Sequence, residues 1–374
     1  MAEFTRLGCR GTLSQVSDLS DKAELEIEAR ENRVSDFRRA LLKAVIRLIV
    51  VAVVFFFIWR FFDQLGWDEL ARRVRQANKS LVILASACIA MRFGLIYLRW
   101  SMVLELLKLP LSHVIGWTAL MTGVLLNHVT PAARLLGGIV RARGLAKIYQ
   151  TSFSSIYATI LVEQVGNQLV QTFLMWLSVI PFVWTLGWHR TAFAIALVPP
   201  IAIVGGLIWR NLHGRPFDIS QWSSFIGRRL QTQLRKWGPL RDGGRRIAEI
   251  FRAAFSDVNL QIRLAVCGIG IVVSNVLALW LVLESLGIQV GFLYVFATVS
   301  LGLAAGLITG TPGGFATTEA AMIALLVTLG VEEIDAAAGV VLYRGLHYSM
   351  VLVVGGLSAL AFELTVARRS RSKP

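Results

Sequence analysis

Charged side chains are scarce in this chain. Only 16% of its 374 residues are Asp, Glu, Lys or Arg, against about 25% in soluble domains. Acidic residues are the scarcer kind: 23 against 38 Lys and Arg, a formal charge of +15. Hydrophobic residues make up 55%, and the mean hydropathy is +0.63. This balance argues against a soluble enzyme. It argues equally against a nucleic-acid binder, whose charge lies on a mostly polar surface. Cysteine is nearly absent. Cys9, Cys88 and Cys267 follow no ligand or framework spacing, so neither disulfides nor a zinc site are expected. There is no phosphate-binding glycine loop ending in Gly-Lys, no His-Glu-x-x-His and no Gly-x-Ser-x-Gly. No enzyme activity, metal or cofactor is therefore expected. The first 43 residues lack the short apolar core of a cleavable signal peptide.

What is present is apolar sequence in long runs. A hydrocarbon core of ~30 Å takes about 20 apolar residues in a helix. Six runs are of that kind: 45–62, 81–104, 152–178, 192–210, 261–286 and 336–364. Two more stretches, 113–147 and 292–331, are too long for one span, and each is broken by a proline among small residues. With the N-terminus inside and the broken stretches crossing nothing, inner segments hold 25 Lys and Arg and outer segments 5. Short basic loops resist translocation, so both termini are expected on the cytoplasmic side of an inner, plasma-type membrane. The resulting division is an N-terminal tail (1–43), a membrane domain (44–366) and a short basic tail (367–374). The basic inner loop 211–260 carries periodic apolar residues and is expected to form an interfacial amphipathic helix. The basic outer segment 63–80 is expected to lie as a helix on the outer leaflet's headgroups.

The broken stretches start and end on one side, from opposite faces. Each is expected to be a re-entrant hairpin, which membranes tolerate only where protein or a water-filled cavity satisfies the backbone. Their tips resemble each other: Thr130-Pro131-Ala132-Ala133 and Thr311-Pro312-Gly313-Gly314. Proline stops a helix and small residues permit the reversal. Glu163 follows Pro131, and Arg344 follows Pro312, by the same 32 residues. Paired interruptions in two halves are the mark of an inverted repeat with a site near the midplane. The fold expected is an all-α polytopic membrane protein of about six spans and two opposed hairpins.

Charges inside the apolar region are costly, about 2.5–3.5 kcal/mol each on insertion scales, and are usually paired or set in a cavity. They are Arg134, Arg141, Glu163, Glu319 and Arg344, with Asn127, His128 and His347 nearby. Two readings stay open. The charges form interhelical salt bridges that fix the bundle, or Arg134, Arg141 and Arg344 receive an anionic headgroup, which guanidinium grips bidentately. In the second reading Asn127 and His347 help bind it, and Glu163 and Glu319 balance charge or carry a proton. For Arg141, snorkelling to headgroups is a third reading. Arg92 and Arg99 share one helix face, with Arg99 and Trp100 expected at the inner interface. Gln164, Asn167, Gln168 and Gln171 form a polar stripe after Glu163, either helix glue or the wall of a hydrophilic path.

The block Pro312-Gly313-Gly314-Phe315-Ala316-Thr317-Thr318-Glu319-Ala320, followed by Tyr343-Arg344, resembles the signature of the lysylphosphatidylglycerol synthase transmembrane-region family. That region is the flippase-like domain of multiple-peptide-resistance-factor proteins. Asn127, Pro131, Arg134, Gly137 and Arg141 resemble that family's first motif, and Glu163 its following glutamate. Two positions depart from the pattern: Ala316 stands for the usual glycine, and Gly138 where an acid commonly follows glycine. The resemblance implies a membrane protein that moves a lipid between leaflets. Lipid aminoacylation is not expected, because no aminoacyl-transferase domain follows in this chain. The expected partners are membrane lipids with anionic headgroups, and no nucleic acid. A homo-oligomer or a lipid-modifying enzyme is a further possible partner. The alternative role is a non-transporting scaffold or regulatory partner of such an enzyme. Single cysteines near Glu332 are expected to react with an impermeant maleimide from outside, and near Arg235 only after permeabilisation. The reverse pattern rejects the opposed hairpins.

Overall fold

In the computed structural model, residues 67–129, 135–185, 238–309 and 314–371 are described. They form ten α-helices, with a short 3-10 turn after the second, and no strand among the described residues. The helices are α1 (Trp67–Gln76), α2 (Lys79–Leu104), α3 (His113–Val129), α4 (Leu135–Tyr149) and α5 (Phe153–Thr185). They continue as α6 (Gly238–Ser256), α7 (Val258–Ser285), α8 (Phe292–Thr309), α9 (Thr317–Thr328) and α10 (Glu333–Arg371). Three are long and apolar enough to cross a membrane: α2, α7 and α10. The expected spans 45–62 and 192–210 lie outside the described residues, as does 211–237 of the basic loop.

The outward faces explain the apolar composition. On α7, Val258, Ile262, Val266, Ile269 and Val273 are exposed at helical spacing, while Ile271, Val272, Leu279, Val282 and Leu283 are buried. On α10, Leu352, Val353, Leu357, Leu360 and Leu364 make a similar exposed stripe. A helix apolar on both its buried and its outward face is suited to lipid.

The ten helices are two sets of five. Lys79 opens α2 and Val258 opens α7; His113 opens α3 and Phe292 opens α8. Leu135 and Thr317 open α4 and α9, and Phe153 and Glu333 open α5 and α10, at nearly constant separation along the chain. α1 and α6 each end immediately before the next helix. Packing repeats as well. α3 lies on α10 and its counterpart α8 on α5; α1 lies on α10 and its counterpart α6 on α5. α2 packs most extensively on its own counterpart, α7.

The counterpart helices α2 and α7 run in opposite senses. The N–H of Asn78, at the start of α2, donates to the carbonyl of Ser285, at the end of α7 (2.8 Å). Midway along, Leu95 packs 3.1 Å from where a Cβ on Gly270 would stand. α2 and α7 are thus antiparallel. A repeat that carries one helix onto an antiparallel partner has its two-fold axis across the helices rather than along them.

Each half holds a helix–break–helix unit, α3–α4 and α8–α9. Their limbs have 17, 15, 18 and 12 residues, all short of the roughly 20 that cross a bilayer. Glycine closes both. A Cβ on Gly137 would overlap the carbonyl oxygen of Gly123, and one on Gly306 would overlap Thr318 Oγ1. Such small-residue contacts let helices pack closely where lipid gives no hydrophobic drive. The tips Thr130, Pro131, Thr311, Pro312 and Gly313 lie outside the described residues, as does Arg134.

Of the basic segment 63–80, Trp67–Gln76 forms a helix, α1. Its charge is not left wholly to headgroups: Arg73 pairs with Asp335 in the first turn of α10 (2.9 Å), so part of it is matched within the protein. At the start of α9, Ala316 has φ 76° and ψ −56°. That is a strained backbone region for a residue with a Cβ. Ala316→Gly is expected to raise the melting temperature in detergent, by about 1 kcal/mol of stability. An unchanged or lower melting point contradicts the strain.

Candidate functional site

The buried charges gather at two places, one in each half. In the second half, α9 presents Glu319 in its first turn, where a carboxylate also meets the positive end of the helix dipole. Arg344 of α10 donates from Nε to Glu319 Oε1 (2.5 Å) and from a terminal nitrogen to the Tyr348 hydroxyl (2.6 Å). Arg344 is 5% exposed and Glu319 9%. Glu319 Oε2 is buried and has no hydrogen-bond partner.

In the first half, Arg99 of α2 donates to Glu163 of α5 through both the carboxylate and the backbone carbonyl, the latter at 2.8 Å. Its other terminal nitrogen donates to Asn167 Oδ1 (2.7 Å). Arg99 is 1% exposed and Trp100 is fully buried. Both are therefore surrounded by protein rather than by headgroups. Glu163 of α5 supplies a carboxylate and Asn167 of its polar stripe an amide to Arg99, so its bonds are made within the protein. Sequence spacing shows only that Arg92 and Arg99 share a face; it does not point to Glu163, which lies far along the chain.

Arg141 of α4 has a different environment. Its stem passes Gly123, 3.6 Å from where a Cβ would stand there. Its guanidinium stacks 4.0 Å over the Trp100 ring, and Trp100 is itself held by its Nε1–H donating to Thr159 Oγ1 (3.3 Å). Arg141 is 5% exposed, so it does not snorkel to a surface. Among the described residues it has no hydrogen bond or ion pair, and its Nε is buried without a partner. A desolvated cation–π contact contributes about 2 kcal/mol. Burying an ion costs several kcal/mol, so the ring alone does not compensate this charge.

Asn127 has a structural use. Its Oδ1 accepts the Gly137 N–H in the first turn of α4 (3.0 Å), capping that helix from across the break. His347 meets His128 at the contact of α10 with α3, Nε2 to Nε2 at 3.4 Å, and packs on Phe93 with ring centroids 5.5 Å apart. Glu163 and Arg344, the residues at matching offsets from the two prolines, are thus both buried ion-pair members, but with separate partners rather than with each other. Among the described residues, no cluster of three or more His, Cys, Asp or Glu side chains is placed to hold a metal ion.

Leaving one member of a buried pair uncompensated costs about 3–5 kcal/mol, whereas replacing both by apolar residues is often neutral. Glu319→Leu is expected to destabilise more than Glu319→Leu with Arg344→Met. Melting temperatures of wild type, both single variants and the double variant check this, and additive losses would contradict the pairing.

The chain matches relatives along almost all of this architecture. It is 22% identical over 334 residues to a UPF0104 membrane protein of Methanocaldococcus jannaschii, covering 86% of this chain and 96% of that protein. It is also 22% identical over 315 residues to a UPF0104 membrane protein of Methanothermobacter thermautotrophicus, covering 83% and 93%. The model of the lysylphosphatidylglycerol synthase TM region matches residues 45–355, which takes in both interrupted helix pairs, both buried ion pairs and Arg141. This chain belongs to the lysylphosphatidylglycerol synthase transmembrane-region family.

Proposed function

We propose that this protein moves a lipid with an anionic, phosphate-bearing headgroup between the two leaflets of its membrane. The observation that carries this reading is the repeated helix order around an antiparallel α2–α7 pair: in each half two short helices are followed by a long helix with a buried charge. In transporters built this way, the site lies near the midplane between the repeats, and access alternates as one repeat moves against the other. The short limbs suit hairpins that enter from opposite faces and turn back. With six spans, both termini are inside, and the antiparallel run of α2 and α7 agrees with that topology. The family is named for a synthase of a phospholipid, which favours a phospholipid as cargo over a soluble anion.

In this reading Arg134, Arg141 and Arg344 attract the headgroup. A phosphate competing for Arg344 replaces the Glu319 carboxylate, held through one oxygen, by an oxyanion that the guanidinium grips bidentately. Glu319 and Glu163 keep the arginines neutralised when no cargo is present, so the empty site is not a bare positive charge in hydrocarbon. His347 borders Arg344 through Tyr348, which it meets edge-on at 6.0 Å between ring centroids. Thr130–Ala133 and Thr311–Gly314 are the turns that shift as access changes. Movement is passive or coupled to an ion.

The test is reconstitution into liposomes carrying a fluorescent phosphatidylglycerol, with dithionite quenching from outside. Wild type is expected to expose inner-leaflet label at least about tenfold faster than Glu319→Ala with Arg344→Ala, a loss of about 1.4 kcal/mol or more in the barrier. Equal rates for the two proteins, with anionic and zwitterionic labels alike, would falsify the translocase reading and leave the scaffold role.

A further inference from the structure

The two halves differ in one charge, and the difference falls beside Arg141. Glu319, which neutralises Arg344, stands as far after Gly138 as Pro312 stands after Pro131 and Arg344 after Glu163. The first half therefore has a glycine where the second has its carboxylate. Among the described residues its buried charges are Arg99, Arg141 and Glu163, two cations against one anion. Glu163 is bonded to Arg99 and also acts electrostatically on Arg141, so one anion is shared by two cations. Arg141 is left 5% exposed with no hydrogen bond or ion pair among the described residues.

Position 138 also admits a side-chain carbon. A Cβ on Gly138 would meet Ile160 at 3.5 Å, Tyr157 at 3.6 Å and Gln164 Nε2 at 4.0 Å, all ordinary contacts. The space is thus bordered by an amide donor one turn before Arg141. Stacking on Trp100 occupies the face of the guanidinium. Its in-plane N–H edge is the part that grips an oxyanion.

We propose that Arg141, on its Trp100 platform, is a binding site for one phosphate group, whose negative charge takes the place of the carboxylate missing at Gly138. The proposal rests on the translocase reading only for its preferred source of phosphate, a phospholipid headgroup; the same chemistry admits free inorganic phosphate. A carboxylate built in at position 138 would sit at i and i+3 with Arg141 on α4 and neutralise it internally. Ligand and side chain then compete for one cation.

The experiment measures binding to the detergent-purified full chain by calorimetry. The probes are dihexanoyl phosphatidylglycerol, dihexanoyl phosphatidylcholine and inorganic phosphate. The proteins are wild type, Gly138→Glu, Gly138→Gln and Arg141→Gln. Wild type is expected to bind phosphatidylglycerol, with Gly138→Gln within about threefold of it. Gly138→Glu and Arg141→Gln are expected to lose at least about tenfold, or 1.4 kcal/mol. Inorganic phosphate binding that falls with the same variants supports the site and makes the soluble anion a ligand. No phosphatidylglycerol or phosphate binding by wild type, or equal binding by Gly138→Glu and Gly138→Gln, overturns the proposal. So does phosphatidylcholine binding as tightly as phosphatidylglycerol in every variant. If Gly138→Glu does not fold, Arg141→Gln decides alone, since it removes a buried charge and needs no new space. Binding that follows this pattern in a protein that moves no lipid sinks translocation and keeps the site; translocation with variant-independent binding does the reverse.

Discussion

A guanidinium in a low-dielectric interior needs a negative partner, and that need organises this molecule. Water cannot supply the partner among packed helices, so helices must. Arg99 is met by Glu163 and Asn167 on α5, and Arg344 by Glu319 on α9 and Tyr348 on its own helix. Each pair ties a long helix to an element of its own half. Each also fixes rotation: α5 must turn Glu163 and Asn167 toward α2, and α9 must begin where Glu319 reaches α10. The exposed apolar stripes on α7 and α10 then follow, because the opposite faces are committed to the interior.

Much of the fold was legible because the physics behind it is one-dimensional. Runs such as 81–104 and 261–286 are apolar on every face, since one face meets protein and the other lipid. Hydropathy alone therefore finds α2 and α7. Pro131 and Pro312 are legible as local backbone chemistry, and in the chain they fall between α3 and α4 and between α8 and α9. The repeat is visible as a matched offset between proline and charge, and the helices extend it to five elements in each half. Partner choice is less accessible. Nothing in the order of residues says that Arg99 turns to Glu163, or that Asn127 spends its carbonyl on the Gly137 amide. Those depend on which helices become neighbours. Arg141 stands out in sequence as a membrane arginine, but only burial shows that it neither snorkels nor pairs.

The halves are alike in outline and unlike in detail. Glycine closes both interrupted helix pairs, at Gly123 and Gly137 in one and at Gly306 and Gly314 in the other. The charge arrangement is not shared: a carboxylate follows one break and a guanidinium the other. An inverted pair of identical halves would have two equivalent conformations. Unequal charges remove that degeneracy, and the His128–His347 contact between α3 and α10 adds to it. The repeat-equivalent positions of these histidines carry Thr309 and Gly166, which offer no imidazole pair.

The α2–α7 pair has a property that no other extensive contact among the described helices shares. Exchanging the roles of the two halves sends α3–α10 to α8–α5, and α1–α10 to α6–α5, so those interfaces trade places. The same exchange sends α2–α7 to itself. An antiparallel seam that is its own mirror under the repeat operation can stay assembled while everything around it swaps. It is an axle about which such an exchange needs no new packing.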